Sequence, residues 1–94
     1  MKEYFDFSGR LTIELADTDS LFNCFADRLQ SLCGCKLVMQ LNGLDQRYWD
    51  FEINDDKLTL HSDSFAGIVL YCSDNQNDKL LRSTAQLCLN QSST

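Results

Sequence analysis

Residues 48–61 read YWDFEINDDKLTLH. Trp49, Phe51 and Ile53 fall on one face of the first half, with Tyr48, Asp50 and Glu52 on the other. A period of two marks a half-buried strand, because successive side chains point to opposite sides of a sheet. The alternation resumes in KLTLH, where Leu58 and Leu60 face one way and Lys57, Thr59 and His61 the other. Asn54-Asp55-Asp56 separates the runs, and Asn and Asp tolerate turn conformations. The stretch therefore predicts a hairpin, which commits the sheet to antiparallel pairing.

Neighbouring runs extend the pattern on both sides. CKLVMQL places Cys35, Leu37, Met39 and Leu41 on one face. FAGIVLYC is apolar on both, with Ala66, Ile68, Leu70 and Cys72 opposite Phe65, Val69 and Tyr71, as suits a central or covered strand. Near the start, Leu11, Ile13 and Leu15 alternate with Arg10, Thr12 and Glu14. Phe5 and Phe7 share a face of a shorter run, with Ser8-Gly9 as a tight turn between the two.

Two segments change period. In DTDSLFNCFADRLQSLCG, Leu21, Phe22, Phe25, Leu29 and Leu32 fall on one helical face, away from Asn23, Asp27, Gln30 and Ser31. Asp17, Thr18 and Asp19 supply an N-cap and favourable charge, and Gly34 the left-handed residue that ends the helix. In NDKLLRSTAQLCLNQSST, Leu80, Leu81, Thr84, Leu87 and Cys88 share a side, while Asn90 to Thr94 are expected to fray. Short-looped strands and two amphipathic helices predict one two-layer α+β domain over residues 1–94. Its antiparallel sheet has five or six strands, and both helices pack on one face.

Composition narrows the function. The 94 residues hold one core, and 44% hydrophobic with 11% aromatic residues is a folding composition. The charge of −6 comes from 14 acidic and 8 scattered basic residues, so no cationic stripe invites nucleic acid or an anionic membrane. No apolar run reaches the ~20 residues of a membrane span. MKEYFDFSG lacks the apolar core of a signal peptide, so a cytoplasmic location is expected.

Residues 31–37, SLCGCKL, are the most suggestive chemistry. Cys33 and Cys35 fall on core-facing parity around the helix-ending Gly34, and free cysteine packs as a small hydrophobe. The spacing is not the Cys-X-X-Cys of redox motifs, and Cys24, Cys72 and Cys88 stand apart without a second knuckle. Packing is the expected role, with a thiol-redox role for Cys33 and Cys35 as the alternative. No metal or cofactor is expected.

His61 is the only histidine, and Glu52 or Asp63 is a candidate orienting carboxylate for it as a general base. Asp50 and Glu52 share a strand face about 7 Å apart. Such a pair resembles glycosidase spacing, but a domain of this size leaves little room for a sugar cleft. Asn54-Asp55-Asp56 lacks the spacing of a calcium loop, and phosphate-binding glycine loops are missing.

If the helices cover one sheet face, the other carries Val38, Tyr48, Thr59, Val69 and Tyr71 among charged and polar neighbours. An aromatic and β-branched patch with a polar surround has the make-up of a protein interface, although the same residues favour strands anyway.

Residues 44–88 resemble a family of short uncharacterised proteins of gamma-proteobacteria. Those proteins carry a tryptophan before an LDFEG run, then L.L..E.YS..IWLE and a closing helix. Trp49, Asp50-Phe51-Glu52, Leu58, Leu60, Phe65, Ile68 and Leu70 match that pattern. Ile53-Asn54 and Asp63 depart from it, and Tyr71-Cys72 follow its end only loosely. The resemblance implies a bacterial domain without an assigned activity.

The expected function is a non-catalytic interaction or adaptor module, with a protein partner or a second copy on the exposed sheet face. The alternatives are a small enzyme or redox protein using His61 with Glu52, or Cys33 with Cys35, and an acidic inhibitor or immunity-type protein.

Overall fold

A sheet with one apolar face needs a cover, and the two helices supply it on one side only. The computed structural model describes residues 1–90. Strands β1 (Lys2–Phe5) and β2 (Leu11–Ala16) form the first hairpin. A 3₁₀ turn (Asp19–Leu21) leads into α1 (Phe22–Ser31). Then come β3 (Lys36–Asn42), β4 (Gln46–Ile53), β5 (Asp56–Asp63), β6 (Gly67–Cys72) and α2 (Asp78–Leu89). All six strands pair antiparallel in the order β1-β2-β6-β5-β4-β3. The expected two-layer α+β architecture is therefore found, with six strands and not five. Of the expected frayed tail, residues 91–94 lie outside those described.

The core is the alternation made solid. Leu11 and Ile13 of β2, Phe51 of β4, Leu58 and Leu60 of β5, and Ile68 and Leu70 of β6 are all buried beneath the helices. Phe22, Phe25, Ala26 and Leu29 of α1 meet them, as do Leu81, Thr84, Ala85 and Cys88 of α2. Thr18 caps the 3₁₀ turn by accepting from the Ser20 amide, and Asn77 caps α2 by accepting from the Leu80 amide. At the far end of α1, Gly34 takes a φ of +72°, which lets the Cys35 amide reach back to the Leu29 carbonyl at 2.9 Å. No helix among the described residues is long and apolar enough to cross a membrane.

Several expectations shift. A β-bulge between Leu37 and Met39 changes the parity of β3: Leu37 pairs with Phe51 on the core side, whereas Met39 and Leu41 pair with Asp50 and Tyr48. Met39 and Leu41 thus leave the core face on which plain alternation puts them. Phe65 and Ala66 belong to the β5–β6 turn, not to the strand, and Phe7 belongs to the β1–β2 turn. The β4–β5 turn has two central residues, because Asp56 pairs with Ile53 and Asn54 takes a φ of +56°. Helix α2 presents Ala85 to the core, which leaves Leu87 exposed. Leu21 and Leu32 mark the exposed ends of the α1 stripe.

Candidate functional site

The cross-strand registers build the helix-free face from two rows. One runs Tyr4, Thr12, Tyr71, Thr59, Asp50, Met39 across all six strands. The next runs Lys2, Glu14, Val69, His61, Tyr48, Leu41. Of the five predicted interface residues, Tyr48, Thr59, Val69 and Tyr71 therefore share this face. Val38 stands apart as the extra residue of the β3 bulge, unpaired across the ladder and exposed. Met39 and Leu41 take the places at the edge.

Within the rows, contacts are specific. The Tyr48 and His61 rings stack at 4.1 Å with 10° between their planes, and His61 Nε2 lies 3.2 Å from Gln46 Oε1. The Thr59 hydroxyl donates to Asp50 Oδ1 at 2.6 Å. Thr59 is only 3% exposed, so it underlies its large neighbours and presents no surface of its own. The Arg10 guanidinium sits 5.1 Å above the Tyr71 ring. Burial holds the Tyr71 phenol above its ordinary value. Burial likewise holds the His61 imidazole below its own, against a weaker pull from Asp63. At the β1 end, Lys2 pairs with Glu14 at 3.4 Å.

The apolar part of this face is concentrated toward β3. Met39 and Leu41 are 56% and 61% exposed beside the Tyr48–His61 stack. Two hairpin tips flank them. Leu44 in the β3–β4 turn and Phe65 in the β5–β6 turn are 104% and 89% exposed, and the Ser64 amide ties the turns together by donating to the Asp45 carbonyl at 3.0 Å. Sequence reading missed Met39 and Leu41 because plain alternation credits them to the core face, which the bulge reverses; Leu44 falls between the predicted strands, and the apolar pattern places Phe65 in a strand and not at a turn tip.

The other candidates fall elsewhere. Glu52 pairs with Lys57, four residues along β5 from His61, so about 13 Å of strand separates the expected base from that carboxylate. Two shallow hollows, lined by Tyr4–Phe7 and by Leu37–Gln40, lie at the edge strands and include neither His61 nor Glu52. Among the described residues, no group of three His, Cys, Asp or Glu is arranged to hold a metal ion. On the helix side the fold gathers three cysteines that the sequence keeps apart. Cys33 Sγ lies 3.9 Å from Cys88 Sγ and 3.8 Å from the Thr84 carbonyl, and buried Cys35 is close enough to bear on both. Burial pushes the Cys35 thiol up to about 11 and that of Cys88 to about 12.

Comparison with known proteins adds one match. A family model described as a protein of unknown function (DUF3630) covers residues 3–88, from β1 into the last turn of α2. No curated protein and no solved structure matches the chain.

Proposed function

We propose, for a chain that belongs to the DUF3630 family of unknown function, a non-catalytic role as an interaction module that docks through the β3 side of its helix-free face. The observation that carries this reading is the run of exposed Met39 and Leu41 along an unpaired strand edge, continuous with the Tyr48–His61 stack and flanked by Leu44 and Phe65. Single exposed apolar residues are ordinary, whereas a contiguous group beside free backbone donors and acceptors is what a partner strand covers.

The occupant that fits is a second copy. An antiparallel β3–β3 pairing is self-complementary, as a two-fold interface requires. It sets Lys36, the one charge on the strand, toward the Asn42 end of the other copy, so like charges do not meet. The opposite edge is blunted in contrast, since β1 carries Lys2 and Glu3, each held in an ion pair.

The test is solution mass by light scattering over a dilution series in reducing buffer. The expected result is twice the 10.8 kDa chain mass, falling to the single chain in Leu41→Glu with circular dichroism unchanged. If Leu41→Glu does not fold, Met39→Lys carries the same test. A wild type that stays a single chain at every concentration overturns the reading. Loss of association in Tyr71→Glu but not in Leu41→Glu overturns the edge pairing and moves the contact to the centre of the face.

A further inference from the structure

We propose that Cys33 and Cys88 form a dithiol site that closes into an intramolecular disulfide by exchange with a small disulfide of the glutathione type. The two residues are 55 positions apart in sequence, yet their sulfurs are in van der Waals contact at 3.9 Å. Cys33 lies in the connection from α1 to β3, and Cys88 lies in the last turn of α2. The contact is held from two directions. Arg28 Nη1 of α1 donates to the Cys88 carbonyl at 2.9 Å, and the Cys33 thiol donates to the Thr84 carbonyl at 3.8 Å. Closing the bridge requires the two sulfurs to approach to about 2 Å.

Exposure assigns the order of events. Cys33 is half-buried and meets solvent, whereas Cys88 is 0% exposed. Cys33 loses its proton, and its thiolate attacks one sulfur of the small disulfide. A mixed disulfide forms and one small thiolate leaves. Cys88 then gives up its proton and attacks the Cys33 sulfur, releasing the second small thiolate. Two protein thiols are oxidised to one disulfide, the small disulfide is reduced to two thiols, and two protons are carried away with them. Burial holds both protein thiols above their ordinary values, so closure accelerates as pH rises from 7 toward 9.

Cys35 is the competing partner, but a bridge to Cys33 across Gly34 alone is strained. Exposed Cys24 has no described thiol in contact and stops at a mixed disulfide.

The experiment incubates the reduced full-length chain with excess oxidised glutathione at pH 8, blocks remaining thiols with N-ethylmaleimide, and maps unreduced peptides by mass. The expected product has lost two hydrogens, contains a peptide pair joining Cys33 to Cys88, and reverts with dithiothreitol. Cys33→Ser and Cys88→Ala each abolish that pair, and Cys35→Ser retains it. Glutathione held stably on Cys33 in the wild type, or a Cys33–Cys35 bridge in place of the long-range one, overturns the proposal. The wild-type peptide map decides the matter even where a variant fails to fold. Because the peptide map reads a bond within one chain, the result is independent of the mass measurement above.

Discussion

At Gly67 the backbone takes a φ of +97°, and a Cβ there would collide with the Ala16 carbonyl and come within 2.8 Å of the Asp17 backbone. The glycine lets β6 begin beside the bulge that shifts the β2 register between Glu14 and Ala16. Gly67→Ala combines a disfavoured conformation with a backbone clash, and is expected to cost about 2–3 kcal/mol, read as a lower urea midpoint. A loss under about 0.5 kcal/mol would contradict this account. His61 makes a second residue-scale prediction. Its imidazole is held below the ordinary 6.5 by burial, so the unfolded chain takes up the proton first as acid is added. This contribution to stability is complete above about pH 6.5 and is lost as pH falls toward the folded-state value. Wild type should therefore lose more unfolding free energy between pH 7 and 5 than His61→Gln does; equal losses would remove the effect. Neither property shows in the residue string. FAGIVLYC gives no sign that its glycine opens the strand, and alternation places His61 on the polar side without the Tyr48 ring that half-covers it.

Elements were more legible. The period of 3.6 in residues 21–32 and the Gly34 stop identify α1, although the expected cap Thr18 serves the 3₁₀ turn before it and not the helix itself. The observed buried stripe of Phe22, Phe25, Ala26 and Leu29 keeps the middle of the expected face. Phe22 is fixed from below by the edge of the Trp49 ring, with centroids 5.0 Å apart and planes at 90°, and by the Arg47 guanidinium 4.1 Å from its ring centre. Phe22→Ala removes this contact and leaves a cavity between α1 and β4, at an expected cost of about 3–5 kcal/mol. The fluorescence of Trp49 should shift to the red in the folded variant as water reaches the indole. A cost below about 1 kcal/mol with an unshifted spectrum would mean that α1 is not anchored there. β3 was the least legible strand. Its bulge inserts one residue at Val38, and a single insertion inverts every later side chain, so a correct strand assignment still gave Met39 and Leu41 the wrong face.

For the molecule as a whole, strand number and layer arrangement follow from local pattern, whereas strand order does not. Short loops predict that β3 to β6 lie in sequence, but nothing local says that the first hairpin adds beside β6 and not beside β3. The candidate site inherits that ambiguity, because the β3 edge is free only when the first hairpin adds beside β6. The Cys33–Cys88 contact likewise depends on where α2 comes to rest. At this scale the association prediction separates from folding. Leu41 makes no core contact, so its replacement by glutamate should leave the thermal midpoint within a few degrees of wild type while the mass changes.

The β2–β6 pairing also has a consequence for biosynthesis. Chains leave the ribosome amino end first, and Ile13 and Ala16 emerge while their β6 partners Leu70 and Ile68 are still untranslated. The β3–β6 meander can assemble from neighbours as they appear, but the first hairpin must wait, its apolar side unsheltered, until Cys72 has cleared the exit tunnel. The first third of this polypeptide is thus the part that a nascent-chain chaperone would have reason to hold.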